Sequence, residues 1–179
     1  MNRIILFSVV FFIVCFNTPF SSAEELRVGD KAPTFTMMDA SGKSYSLESA
    51  EFKGKVISVF YVDPSKKNWN KHVEEALKSN SELDRDNNYM NIYISNLKAS
   101  KIPDAIIKRA MKNKQENTDS LILLDRDYTL IKLWGMKNHS SNVVVLDKDK
   151  ICRYKYSGKL PPEEVDRLIA VIKEYQFQW

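Results

Sequence analysis

Three apolar runs, each too short for a long helix and followed by helix-forming sequence, constrain this chain more than anything else in it. Val56-Ile57-Ser58-Val59-Phe60-Tyr61-Val62 is β-branched and aromatic almost throughout, the pattern of a strand buried on both faces. Tyr89 to Ile94 has the same character, and Leu121-Ile122-Leu123-Leu124 is a third such run, ended by Asp125-Arg126-Asp127. Between the first two, Asp63 can cap a helix and Pro64 suits its first position, with Trp69, Val73, Ala76 and Leu77 recurring at i, i+4, i+7 and i+8. A second helix is expected from near Pro103 to about Lys114, turning Ile106, Ile107, Ala110 and Met111 toward the core.

Val143 to Leu146 and Ile151 to Tyr156 then flank Asp147-Lys148-Asp149-Lys150, the layout of a β-hairpin. The last helix starts at Pro161-Pro162-Glu163-Glu164 and carries Val165, Leu168, Ile169, Ile172 and Tyr175 as its core stripe. Upstream, Val28 to Phe35 reads as an extended entry segment and Asp39 to Lys43 as a turn in which Gly42 is free to take positive φ. Alternating strands and helices closed by a hairpin and a helix describe an α/β domain, a three-layer α/β/α arrangement with a central mixed sheet covered on both faces.

The first 23 residues are set apart from that domain. Met1 to Arg3 carries one positive side chain, Ile4 to Phe16 is apolar apart from Ser8, and Ser21-Ser22-Ala23 offers small residues to a signal peptidase. The 13-residue apolar run reaches only about 20 Å as a helix, short of the ~30 Å hydrocarbon core. The expectation is therefore a signal peptide, residues 1–23, cut after Ala23, and a single exported domain, residues 24–179, with no stable membrane insertion. Cys15 leaves with the peptide, since Phe12-Ile13-Val14 before it is no lipoprotein signal. The chain has only two cysteines, so the mature domain keeps Cys152 alone and forms no internal disulfide. A net charge of +4 is too small an excess to imply nucleic acid binding, and none is expected.

Val-Gly-x-x-Ala-Pro-x-Phe at residues 28 to 35, Phe-Lys-Gly-Lys at 52 to 55 and the late Leu-Asp-Lys-Asp hairpin resemble the thioredoxin-like redoxin and peroxiredoxin superfamily. Within it the chain is most similar to the YtfJ-like family of small exported bacterial proteins. That match is carried by Trp134 nine residues after Asp125, Ser140-Ser141, Val143 through Asp149, and Gly158 followed by Leu160 and Glu163-Glu164-Val165. The resemblance implies a thioredoxin-like fold. It also implies a glycine where Lys150 stands; a lysine forced to positive φ there would cost roughly 1 kcal/mol.

Redox-active thioredoxin-like proteins place a cysteine between the first long strand and its helix, where the helix N-terminus favours the thiolate. Here the segment reads Asp63-Pro64-Ser65-Lys66-Lys67-Asn68-Trp69 and holds no cysteine. Serine cannot replace it, because exchange needs a sulfur that attacks and leaves. The proline that faces this mouth in redox-active members is also missing, its place falling near Ser141.

Other constellations carry less. His72 and His139 are far apart with no second cysteine to complete a zinc set, and Asp125/Asp127 and Asp147/Asp149 lack the remaining ligands of a calcium loop, so no metal is expected. Phosphate loops, nucleophile elbows and dinucleotide fingerprints are missing from the sequence, and no cofactor is expected. Asn138-His139-Ser140 fits a glycosylation pattern too short to weigh. Lys66, Lys67 and Lys71 crowd the first helix start, while Lys98, Lys101, Lys108, Arg109, Lys112 and Lys114 mark the second helix region.

These readings converge on an exported, periplasmic binding or accessory domain without catalytic residues. Its expected contact surface is the old thiol mouth, with Ser65, Lys66, Lys67, Trp69, Lys71 and Ser141 as candidate residues for an anionic ligand or protein partner in the envelope. The alternative is an enzyme, a divergent one-cysteine redoxin using Cys152 as thiol oxidoreductase or peroxidase. A third reading is an accessory protein anchored to a partner by Trp69 or the tail aromatics Phe177 and Trp179.

Overall fold

The computed structural model describes residues 25–101, 103–116 and 120–178. The expected signal peptide, with Cys15 and Ala23, lies outside the described residues, as does Trp179. Seven strands form one sheet in the order β2-β1-β5-β4-β3-β6-β7. They are β1 (Thr36–Asp39), β2 (Ser44–Ser46), β3 (Val56–Val62), β4 (Tyr89–Asn96), β5 (Leu121–Asp125), β6 (Ser141–Leu146) and β7 (Cys152–Ser157). Among the described residues the α-helices are α1 (Lys71–Ser79), α2 (Asp104–Glu116), α3 (Thr129–Trp134) and α4 (Pro162–Gln176).

Parallel β3, β4 and β5 form the centre, and β6 returns antiparallel beside β3. Alternation along β3 divides the core. Ile57, Val59 and Tyr61 pack with Leu130 and Trp134 of α3, whereas Val56 and Phe60 pack with Val73 and Leu77 of α1 and Val165, Leu168 and Ile172 of α4. The fully buried Trp134 explains why two distant motifs occur together: its indole Nε1 donates to Pro33 O at 2.8 Å, and its ring meets Phe35 edge-on at 5.7 Å.

Two expectations are corrected. The first helix does not start at Asp63. Pro64–Lys66 is a separate 3-10 turn capped by Asp63, α1 begins only at Lys71, and Trp69 falls before it, half-buried rather than in the stripe. The cause is Asn70, whose side chain is drawn into tertiary hydrogen bonds described below. On α2, Ile107 is buried against Leu97 and Leu124 and Met111 is partly buried, but Ile106 is 60% exposed and Ala110 is exposed. The Asp39–Lys43 turn forms as expected and joins β1 to β2 in a hairpin whose strands are too short to announce themselves. Asp39 Oδ1 accepts from Ser41 N at 2.8 Å and Lys43 N at 3.0 Å, and Gly42 takes φ 95°.

Lys150 does adopt φ 67°. Its 6%-exposed side chain turns inward, and Nζ donates to Phe52 O at 2.7 Å, Lys148 O at 3.3 Å and Lys55 O at 3.4 Å. The ammonium thus ties the β6–β7 turn to the segment leading into β3. Burial holds its pKa below the ordinary lysine value.

Candidate functional site: the mouth at the end of β3

The central strands β3, β4 and β5 end at one edge of the sheet, where β6 begins, Val62 pairing with Ser141. This edge of a parallel α/β sheet is where ligand crevices form, because chain ends and helix starts meet there. The chain leaves β3 through Asp63, which is 3% exposed. Its Oδ1 accepts from Ser65 N at 2.8 Å, and its Oδ2 lies 2.9 Å from His139 Nδ1. A carboxylate can only accept, so Nδ1 carries the proton in this contact and leaves Nε2 for the solvent side. Burial raises the Asp63 pKa, but the hydrogen bonds from Ser65 and His139 outweigh it and hold the carboxyl below its ordinary value.

His139 reaches this position from the loop before β6, its backbone at φ 51° and its side chain 66% exposed. Asp63 N also donates to Ser140 O at 2.9 Å, so backbone and side chain both join β3 to that loop. Beside it, Asn70 is 2% exposed and fully engaged: Nδ2 donates to Ser141 Oγ and Gly158 O, each at 2.9 Å, and Oδ1 accepts from Leu160 N at 2.9 Å. Asn142 completes the frame, donating to Tyr61 O and Lys137 O while its Oδ1 accepts from Lys137 N and Ser157 Oγ. Such saturated buried networks hold one geometry, because leaving any member unpaired costs about 1–3 kcal/mol.

The candidate residues are therefore sorted by position. Ser65 is exposed, but its N–H and hydroxyl are both given to Asp63. Lys66 lies over the Trp69 ring at 4.6 Å from Nζ to the centroid, and Lys67 stays exposed beside them. Ser141 is buried under the mouth as acceptor for Asn70. Lys71 pairs along its own helix with Glu75 at 3.3 Å, which turns its charge away from the others. Among the second-helix cations, the side chains of Lys108 and Lys114 lie outside the described residues.

Cys152 is not at this edge. It opposes Leu146 at the far end of β6, five residues from Ser141, or roughly 16 Å at ~3.3 Å per residue. The thiol is buried, pushed up to about 11 by desolvation, with Sγ 3.5 Å from Tyr154 O. Only about one molecule in 10⁴ would carry a thiolate there at neutral pH. The paired acids serve their own loops. Asp125 accepts from Asp127 N, Thr129 N, Leu130 N and the Tyr61 hydroxyl, and Asp147 from Asp149 N, Ile151 N and Arg153 Nε. His72 Nε2 lies 3.0 Å from Leu160 O, well apart in role from His139. Phe177 is 61% exposed at the end of α4. No described helix is long and apolar enough to cross a membrane.

Against this geometry, residues 28–175 match the family described as "Bacterial protein of unknown function (YtfJ_HI0045)". The chain belongs to this family. YtfJ of Escherichia coli is 26% identical over 165 residues, covering 86% of this chain and 89% of that protein. A protein of Haemophilus influenzae is 32% identical over 63 residues, which span 35% of this chain and 34% of its own length. Among solved structures, a peroxiredoxin-like protein from Aquifex aeolicus superposes with TM-score 0.59 at 15% identity, covering 84% of this chain and 91% of that one. The thioredoxin domain of a thiol-disulfide oxidoreductase from Bacteroides vulgatus gives 0.59 at 18%, covering 82% and 97%. At such identities the likeness establishes the thioredoxin-like fold and nothing of activity.

Proposed function

We propose that this YtfJ-family protein is an exported binding or accessory domain of the bacterial envelope that works without thiol chemistry and engages an anionic group, on a protein or a small molecule, at the mouth beyond β3. The observation that carries the reading is the segment between β3 and α1, which holds no cysteine and opens on the buried Asp63. In that segment Asp63 is a buried carboxylate already satisfied by Ser65 and His139. The mouth is thereby rigid and chemically quiet, while Lys66, Lys67, Trp69 and the outer edge of His139 remain on its rim.

Those rim groups favour an anion by charge and offer an aromatic face beside it. Ser65 N–H belongs to Asp63, so the contribution of backbone donors is smaller than the sequence suggests and the lysines dominate. Titration of the mature protein with an acidic peptide or with inorganic phosphate, followed by Trp69 fluorescence, tests this. Binding should weaken from low to physiological salt, because exposed charges are screened over ~8 to 10 Å. Lys66→Glu/Lys67→Glu should abolish it; binding that survives both changes would remove the mouth from consideration.

A further inference from the structure

His139 holds a left-handed backbone, φ 51°, a conformation that persists in a residue with a side chain only where the surroundings over-determine it. Here they do. His139 N donates to Asn138 Oδ1 at 2.9 Å, and that oxygen also accepts from Nδ2 of the buried Asn96 at 3.1 Å, which ties the loop to the end of β4. On the other side Ser140 O takes the Asp63 N–H, and Asp63 Oδ2 holds the ring itself. The imidazole is exposed and yet fixed in place.

Its two nitrogens are unlike. Nδ1–H belongs to Asp63, a carboxylate that can only accept, whereas Nε2 meets no partner among the described residues. In the neutral ring the nitrogen without the proton is a bare acceptor. One carboxyl group separates this ring from the Ser65-Lys66-Lys67 run, since Asp63 Oδ1 accepts from Ser65 N at 2.8 Å. The side chains of Lys66, Lys67 and Trp69 can only donate, and the Ser65 hydroxyl is already given to Asp63, so Nε2 is the side-chain acceptor among these rim groups. An anion built only of acceptors gains from the lysines but sets its own lone pairs against that of Nε2. An oxyanion that also carries a hydrogen satisfies both.

We propose that His139 is the specificity-determining residue of the mouth, its Nε2 accepting the hydrogen of hydrogenphosphate and disfavouring anions that only accept. This inference rests on the anion-binding reading of the mouth and narrows it to one ligand chemistry. Asp63 is the positioning residue, because its carboxylate fixes which nitrogen bears the proton.

Isothermal titration of the mature protein with phosphate and with sulfate at about pH 8, where the neutral form of an imidazole is the ordinary one, tests the proposal. Both ions are tetrahedral dianions there, and only hydrogenphosphate has a hydrogen to give. Wild type should bind phosphate about tenfold more tightly than sulfate. Asp63→Asn should reverse the order: the Ser65 N–H keeps the amide oxygen on its side, the amide nitrogen then donates to Nδ1, and the ring proton moves to Nε2. Nitrogen-15 resonances of the His139 ring should show Nδ1–H in wild type and Nε2–H in that variant. His139→Asn, which suits the left-handed backbone, should bind the two ions about equally and provides the test if Asp63→Asn fails to fold. Failure of phosphate to bind would remove the mouth reading and this inference together. Equal, lysine-dependent binding of both ions in wild type, a wild-type preference for sulfate, or a phosphate preference untouched by His139→Asn would overturn the inference and leave the mouth reading standing.

Discussion

The two ends of β3 each bury a charge, and they bury it in opposite ways. At the far end Lys150 is enclosed by three backbone carbonyls on both sides of the turn it bridges. At the mouth Asp63 is equally buried, but one of its partners, His139, is 66% exposed. A buried ion is tolerated only when its hydrogen-bonding capacity is filled, and both sites meet that condition. What differs is access: the far end is a closed latch, whereas the mouth presents the outer side of its own network to solvent. A partner can read the second and cannot reach the first.

The largest expected effect breaks the latch. Lys150→Ala strips three carbonyls of their donor and keeps a residue at positive φ, so it should destabilise by about 3 kcal/mol. Lys150→Gly should lose about 1 kcal/mol less, because glycine relieves the backbone strain. Urea unfolding of the pair separates the two contributions; equal losses would mean that φ 67° is not strained here.

Next comes the mouth. Asp63→Asn should cost about 1–3 kcal/mol at neutral pH by weakening the bonds to Ser65 and His139. Its pH signature has a definite sign. The folded-state pKa of Asp63 is depressed, so its stabilisation is present above the unfolded value of about 3.9 and disappears as pH falls through the lower folded value. Wild type should therefore lose stability relative to Asp63→Asn below about pH 4. Parallel pH profiles for the two proteins would contradict the assignment.

How much of this the sequence discloses depends on the range of the interaction. β3, β4 and β5 are legible because burial on both faces demands uninterrupted apolar residues, and the β6–β7 hairpin because Asp147 to Lys150 can hardly be anything but a turn. The glycine that the resemblance implies at position 150 points to the positive φ found there, yet nothing local says that the lysine would turn inward to bond Phe52 O. The mouth is legible only as a place. Asp63 meets His139 and Asn70 meets Ser141 across most of the sheet's sequence, and a polar residue destined for a buried network looks like any surface residue. Asn70 is also why the helix start is misplaced: a good capping residue type is here committed to Ser141, Gly158 and Leu160. On α2, periodicity selects four apolar residues although only Ile107 and Met111 find a surface to cover.

Smaller effects sharpen the contrast in reactivity. Cys152→Ser should cost about 1 kcal/mol, the buried hydroxyl having Tyr154 O within reach. Native Cys152 should react with a thiol reagent at least a thousandfold more slowly than in urea, given its burial and raised pKa. Fast labelling of the native protein would revive the one-cysteine redoxin. Least of all, Lys66→Glu/Lys67→Glu should change stability by under about 0.5 kcal/mol, since both lysines sit on the rim and neither belongs to the buried network. A larger loss would make them structural.

The central claim, that the mouth acts by binding and without sulfur, is tested most directly by titrating one acidic ligand into wild type, Cys152→Ser and Lys66→Glu/Lys67→Glu under identical low salt. The account predicts indistinguishable affinity for wild type and Cys152→Ser and loss of binding in the charge-reversed protein. Binding that vanishes with Cys152 and survives charge reversal would contradict it.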